Sequence, residues 1–112
     1  MHNGIPEAGD ILWLEIGPAR GNEQDGYRPV LVLTETELNE LTGRIMGVPI
    51  TSKIRGWETE VPITNLPKPC VALIDQMQTL AYRERGARFK GERATEEELH
   101  AVRYGLRVLL SL

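Results

Sequence analysis

The chain is organised around Gly17–Leu33, GPARGNEQDGYRPVLVL, in which a polar loop runs directly into an apolar strand. Three glycines punctuate the loop Gly17–Pro29, and most of the side chains between them are polar or charged. Long loops in small domains are usually functional or disordered. Apolar strands on both sides argue against disorder, so the loop is predicted to carry function.

The strand before this loop is Ile11–Ile16, which alternates in hydrophobicity. The alternation points Leu12 and Leu14 inward and places Trp13 on the other face, as a candidate platform for a base. A core or dimer-interface aromatic is the alternative interpretation of Trp13. The strand after the loop, Val30–Leu33, is apolar throughout and typical of a strand covered on both sides.

The remaining pattern predicts a single domain over residues 1–112, with residues 1–8 as a poorly ordered lead-in. A capping box formed by Thr95 and Glu98 begins a C-terminal helix, and apolar residues follow at helical spacing through Leu110. The fold class is α+β, mainly β: a small, partly open β-barrel with this helix packed on it. Periodicity alone leaves other α+β arrangements open. Between the loop and the helix we expect a helical turn at Thr34–Gly43, strands at Ile45–Ile50, Glu58–Ile63, Val71–Ile74 and Ala81–Arg85, and turns at Met77–Leu80 and Gly86–Gly91.

Composition limits the function classes. The 112 residues carry a net charge of −3 and a pI of about 5.4, which is untypical of a nucleic-acid binder, but Arg83–Arg93 holds five basic residues against two glutamates. A basic groove and ordinary solvated charges are both open there. No apolar run is long enough to cross a membrane and no signal peptide is evident, so a cytoplasmic protein is expected. The single cysteine, Cys70, excludes an internal disulfide and a multi-cysteine zinc site.

If the substrate is RNA, its cleavage through the 2′-hydroxyl needs neither water nor a metal, but it needs a proton acceptor, donors for the charge on phosphorus and a proton for the leaving oxygen. The two histidines, His2 and His100, make no plausible catalytic pair, and no Walker or HExxH motif is present. An enzyme here is expected to work without a metal or an organic cofactor. Arg28 suits phosphate binding, Thr51 offers a hydroxyl and Glu23 can accept a proton.

The segments GNEQDGYRPVLVL, GVPITSK, VALIDQ and RERGARFKG, in this order, resemble the MazF/PemK toxins, metal-independent endoribonucleases (mRNA interferases) of toxin–antitoxin systems. The resemblance covers nearly the whole chain. It implies a barrel fold shared with CcdB toxins. It also implies cleavage of single-stranded RNA to 2′,3′-cyclic phosphate and 5′-hydroxyl ends. The implied assembly is a homodimer that is neutralised by a cognate antitoxin, whose acidic segment lies over the RNA groove. The resemblance also implies catalytic roles for Arg28, Thr51 and Glu23 and substrate contact by Gln76. Asn22 departs from the serine or histidine common in the family, which affects base selection more than activity.

Further substrate-binding candidates are residues able to stack on bases, bond their edges or contact phosphate: Trp13, Asn22, Gln24, Ser52, Lys53, Asp75, Arg83 and Arg85. These residues also have structural interpretations. Arg28 could pair with carboxylates of the loop, and Thr51, Ser52 and Asp75 could be ordinary residues at strand ends. For the whole protein, one alternative is a CcdB-like toxin that binds DNA gyrase without catalysis. Another is an interaction module or an inactive paralogue.

Overall fold

The computed structural model describes residues 1–16 and 26–112, which form a curled sheet with a helix packed against it. These residues contain seven strands, two α-helices and a 3-10 turn. In chain order they are β1 (Asp10–Glu15), β2 (Tyr27–Val32), α1 (Thr36–Thr42), β3 (Ile45–Thr51), β4 (Glu60–Ile63), β5 (Cys70–Leu73), the 3-10 turn Ile74–Gln76, β6 (Gln78–Leu80), β7 (Arg88–Arg93) and α2 (Glu96–Leu110). The predicted mainly β domain with a C-terminal helix is confirmed.

The strands are antiparallel and follow the order β4-β5-β3-β2-β1-β7. Strand β6 also pairs with β3, beside its first half, while β5 pairs with its last two residues. In this order β4 and β7 are the two ends of the sheet. The barrel is therefore partly open, as expected from the sequence.

Both faces of the sheet are covered, because alternate residues of the central strands enter two separate apolar clusters. Ile11 and Leu31 join Val102 and Leu106 of α2 in the first cluster. Leu12, Leu14 and Val30 pack in the second cluster, beneath β6 and Tyr82. Alternate residues of β1 therefore belong to two different cores, one on each face of the sheet, and Ile11 is as fully buried as Leu12. This explains the continuous apolar run of β2.

Helix α2 begins at the predicted capping box: the Thr95 hydroxyl accepts from the Glu98 amide, and the Glu98 carboxylate accepts from the Thr95 amide. Val102 and Leu106 are buried against the sheet. The apolar stripe continues past the sheet, where Leu109 and Leu110 are about half exposed, at 48% and 50%. The end of the helix thus presents apolar surface to its surroundings.

The predictions for Met77–Arg93 were wrong in detail. The expected turn at Met77–Leu80 contains strand β6, the expected strand at Ala81–Arg85 is a turn, and the expected turn at Gly86–Gly91 contains most of β7. Within residues 1–16 and 26–112, strand β7 pairs with β1 alone, and it is exposed along most of its length. It therefore lacks the hydrophobic alternation by which a strand is detected.

Residues 1–8 lie against the domain, with Ile5 and Pro6 buried. The buried side chain of Asn39 connects this segment to α1, because its amide nitrogen donates to the carbonyl oxygens of Pro6 and Thr34 at 2.9 and 2.8 Å. The Tyr82 hydroxyl donates to the Asn39 carbonyl oxygen at 3.1 Å. Among the described residues, no helix has the length and apolar character needed to cross a membrane.

Candidate active site

A cavity of about 560 Å³ lies at the end of the sheet where β1 and β3 finish and β2 and β5 begin. Antiparallel pairing brings these ends together although they are distant in sequence. Its described walls include three cationic side chains and one carboxylate. The lining residues are Trp13, Tyr27, Arg28, Pro29, Ile50, Thr51, Ser52, Leu66, Pro67, Lys68, Cys70, Lys90 and Glu92.

Arg28 and Thr51 reach this cavity from neighbouring strands. The last β2–β3 pair on this side is Val30 with Pro49, and Arg28 and Thr51 each lie two residues beyond it, at the ends of the two strands. One guanidinium nitrogen of Arg28, Nη1, donates to the Tyr27 carbonyl oxygen at 3.0 Å. A guanidinium presents five N–H donors in a rigid fork that matches phosphate oxygens.

The Thr51 hydroxyl is oriented by the backbone that follows it. Its oxygen accepts the Lys53 amide at 3.1 Å, so the hydroxyl proton can be donated to a ligand. Thr51 is the last residue of β3 and pairs with Val71 of β5, which makes its position rigid. Ser52, the next residue, also lines the cavity and is exposed.

Trp13 is held between two side chains of β7. Its indole nitrogen Nε1 donates to Glu92 Oε1 at 2.8 Å, and the Lys90 ammonium lies 3.9 Å from the ring centroid. Beside this pair, Arg88 stacks over the Tyr27 ring at 4.1 Å. Strand β7 therefore places positive charges against the rings of Trp13 and Tyr27. This arrangement is suited to a nucleic acid, because aromatic rings can stack on bases while positive charges bind phosphates.

Cys70 begins β5 at the same cavity, half buried. Burial raises the pKa of the Cys70 thiol; Lys68 acts to lower that pKa and Glu92 to raise it. A raised pKa keeps the thiol protonated at neutral pH, which makes it a poor nucleophile. The thiol is therefore a wall of the site rather than an attacking group.

Of the residues predicted from the sequence, the cavity brings together Trp13, Arg28, Thr51 and Ser52. Lys53 supports Thr51 through its backbone amide without lining the cavity. Asn22, Glu23 and Gln24 lie outside the described residues. Their roles, and the alternative in which Arg28 only fastens the loop, stay predictions.

The other predicted contacts lie away from the cavity walls. Asp75 and Gln76 are exposed in the 3-10 turn, beside the middle of β3 and roughly 10 Å along that strand from Thr51. Arg85 Nη1 donates to the Glu15 carbonyl oxygen at 2.9 Å, and Arg83 stacks over Tyr82. Their proposed contacts with RNA stay predictions.

Sequence reasoning missed Lys68, Lys90 and Glu92 as walls of the site. Lys90 belongs to the basic run Arg83–Arg93, but the part of the run that contains it was predicted to form a turn. Its position beside β1 could therefore not be predicted. Glu92 and Lys68 carry no motif of their own. Only the pairing of β7 with β1 places Glu92 beside Trp13.

The chain is similar to proteins that are named for RNA cleavage. It is 38% identical over 106 residues to the endoribonuclease toxin MazF of Escherichia coli K12, a match that covers 95% of each chain. It is 29% identical over 110 residues to the endoribonuclease PemK of Escherichia coli, covering 94% of this chain and 82% of that one.

Solved structures have the same fold. MazF of Deinococcus radiodurans superposes with a TM-score of 0.85 at 35% identity, covering 98% of this chain and all of that one. A MazE–MazF structure from the same organism gives a TM-score of 0.84 at 32% identity, covering 98% and 99%.

A family model described as "PemK-like, MazF-like toxin of type II toxin-antitoxin system" matches residues 7–110, which is nearly the whole chain. The match includes every described wall of the cavity. By sequence and by fold, the chain belongs to the PemK-like, MazF-like toxins of type II toxin–antitoxin systems.

Proposed function

We propose that this chain is a metal-independent endoribonuclease toxin that cleaves single-stranded RNA at a short sequence. The observation that carries the proposal is the placement of Arg28 and Thr51 on one cavity, in a chain whose relatives are named endoribonucleases. Single-stranded RNA fits an aromatic-walled cavity because its bases can leave the stack, whereas a duplex hides their edges. The gyrase-binding alternative is not favoured, since the matching family and relatives are MazF-like and PemK-like.

The reaction we propose is transfer of the phosphate to the neighbouring 2′-oxygen. The 2′-oxygen bonds to phosphorus, the bond from phosphorus to the 5′-oxygen breaks, and the products are a 2′,3′-cyclic phosphate and a 5′-hydroxyl. Arg28 donates to the non-bridging oxygens, where negative charge grows, and the Thr51 hydroxyl adds a second donor. Glu23 accepts the proton of the 2′-hydroxyl, and a solvent water supplies the proton that the departing 5′-oxygen takes up.

Control by a cognate antitoxin is the second part of the proposal. Arg28, Lys68 and Lys90 give the cavity a positive character although the whole chain is acidic. An extended acidic segment of the antitoxin would be attracted to the same groups as RNA and would block it by direct competition. The MazE–MazF structures of Deinococcus radiodurans concern relatives that form such a toxin–antitoxin pair.

We further propose that the toxin is a cytoplasmic homodimer. Leu109 and Leu110 are half exposed at the end of α2, and Val108 and Tyr104 of the same helix are 62% and 59% exposed. Several large apolar side chains exposed at one end of a helix are typical of a protein interface. Light scattering of the purified protein, with a Val108→Asp variant beside it, tests the state of association.

The deciding experiment is incubation of the purified protein with a long single-stranded RNA in the presence of EDTA, with the cut ends mapped. Arg28→Ala tests the site, and Arg107→Ala, which removes an exposed arginine of α2, is the matched control. We expect discrete cuts with cyclic phosphate ends from the wild type and Arg107→Ala, and loss of cutting in Arg28→Ala. Intact RNA from a folded protein that arrests growth would contradict the ribonuclease and favour gyrase poisoning.

A further inference from the structure

Glu92 is a carboxylate in a cavity that otherwise presents positive charge. Its carboxylate oxygen Oε1 accepts the Trp13 indole proton at 2.8 Å, and Glu92 itself is partly exposed where it lines the cavity. It stands next to Gly91, whose φ of 81° accompanies the irregular register between β1 and β7. The backbone of the edge strand thus carries this carboxylate to Trp13.

The Trp13 contact leaves acceptor capacity on Glu92. A carboxylate has two oxygens with about four lone-pair sites, and the hydrogen bond that the described residues give it is the one from the indole. It cannot face a phosphate, because like charges at short range repel. Among the described cavity walls, Arg28, Lys68 and Lys90 are the groups suited to phosphate. Glu92 is therefore suited to accept a hydrogen bond from a donor group on a base.

The donors of RNA bases differ in a way that a carboxylate can read. Adenine, cytosine and guanine each carry an exocyclic amino group, whereas uracil presents a single N–H flanked by two carbonyl oxygens. A carboxylate that accepts the uracil N–H lies close to the carbonyl oxygens on both sides, and their repulsion weakens that hydrogen bond. Trp13 gives the base an aromatic surface at the same point, with Lys90 over the ring at 3.9 Å.

From this geometry we infer that Glu92 is a specificity-determining residue: it selects, for the base bound against Trp13, one with an exocyclic amino group over uracil. The inference rests on the proposed RNA-cleaving function. It assigns to the edge strand a part in base selection, in addition to any part taken by the loop that precedes Arg28. The preference should appear at one position of the recognition sequence.

The test compares wild type, Glu92→Gln and the control Glu97→Gln, which removes an exposed carboxylate from α2. The glutamine oxygen can still accept the Trp13 proton, while its amino group now donates to carbonyl oxygens. Each protein is given two randomised pools: RNA, whose cut ends are sequenced, and 2′-fluoro RNA, which lacks the attacking hydroxyl and reports binding by enrichment. Thermal unfolding checks that the variants are folded.

We expect the ratio of amino-bearing bases to uracil at one position to fall by about tenfold in Glu92→Gln and to stay unchanged in Glu97→Gln. An unchanged recognition sequence, with cutting equally slower at every site, would overturn the inference and leave Glu92 as a support for Trp13. If the wild type cuts nothing, the proposed function fails, and enrichment from the 2′-fluoro pool still tests whether Glu92 selects a base. Enrichment that depends on Glu92 supports base selection, and enrichment that does not depend on it, or none, refutes it.

Discussion

Arg28 and Thr51 line one cavity from the neighbouring antiparallel strands β2 and β3, each two residues beyond the Val30–Pro49 pair. Arg28 lies at the start of β2 and Thr51 at the end of β3. Because the strands are antiparallel, these two ends share one edge of the sheet. Both side chains are thereby held on rigid strands, and the proposed reaction uses this fixed geometry to hold the reacting phosphate.

Replacing Thr51 by valine should slow cleavage without blocking RNA binding. Valine keeps the shape but removes the hydroxyl donor, and loss of one such donor typically lowers the rate about 10²- to 10³-fold. Thr51→Ser, which keeps the hydroxyl and its bond to the Lys53 amide, should retain most of the rate. Single-turnover cleavage of a short RNA containing the mapped site measures both. A valine variant as fast as wild type would remove Thr51 from the reaction.

Lys68 and Lys90 should contribute to RNA affinity through phosphate contacts. Each alanine variant should weaken binding to single-stranded 2′-fluoro RNA at low salt and reduce the slope of log affinity against log salt by about 0.7. Arg107→Ala, on the exposed face of α2, should leave both quantities unchanged. Titrations at several salt concentrations provide the measurement. A wild-type slope in both lysine variants would show that these side chains do not meet the RNA backbone.

Gly47→Ala should destabilise the sheet strongly. A Cβ at Gly47 would lie 2.5 Å from the Leu31 carbonyl oxygen and 2.7 Å from Val30 Cγ1, so the backbone of β2 would have to move. We expect a loss of about 3 kcal/mol in the free energy of unfolding.

The matched variant for that test is Gly105→Ala. Its Cβ would meet the end of the Ile74 side chain at 2.6 Å, which can yield, and alanine favours the helix by about 1 kcal/mol. The change in stability should therefore stay within about 1 kcal/mol. Urea unfolding of the two variants compares them. Equal losses would mean that the close approach of β2 and β3 at Gly47 is not a constraint.

Cys70 should react slowly with iodoacetamide in the folded protein. Burial raises the pKa of its thiol, so at pH 8 the reactive thiolate is scarcer than in the unfolded chain. The folded state holds this proton to higher pH than the unfolded state. The contribution of Cys70 to stability is therefore present below the ordinary thiol pKa and is lost as pH rises through the raised pKa.

Mass spectrometry of labelling rates, with and without urea, checks the Cys70 prediction. Glu92 acts to raise the pKa of this thiol, so Glu92→Gln should speed labelling of the folded protein. Glu97→Gln, distant on α2, should not. Equal rates in the folded and unfolded chains would contradict the raised pKa.

Local sequence patterns sufficed for several elements. The capping box of Thr95 and Glu98 is a contact between residues three apart, and α2 begins where it predicts. Gly43, expected to end the first helix, does so with a φ of 69°. Strand β7 could not be found in this way, because an exposed edge strand has no apolar face to produce a pattern.

The residues of the candidate site also differ in whether local sequence patterns could predict them. Arg28 and Thr51 were recognisable from the sequence, since an arginine before an apolar strand and a threonine at a strand end occur in segments that resemble a known family. The sequence also determined the α+β class, through apolar alternation and one capped helix. Only the tertiary structure decided which side chains share the cavity, because the antiparallel pairing of β2 with β3 brings Arg28 and Thr51 to one cavity, and β7 brings Glu92 to Trp13. Such pairings depend on contacts between distant segments, and no local pattern encodes them.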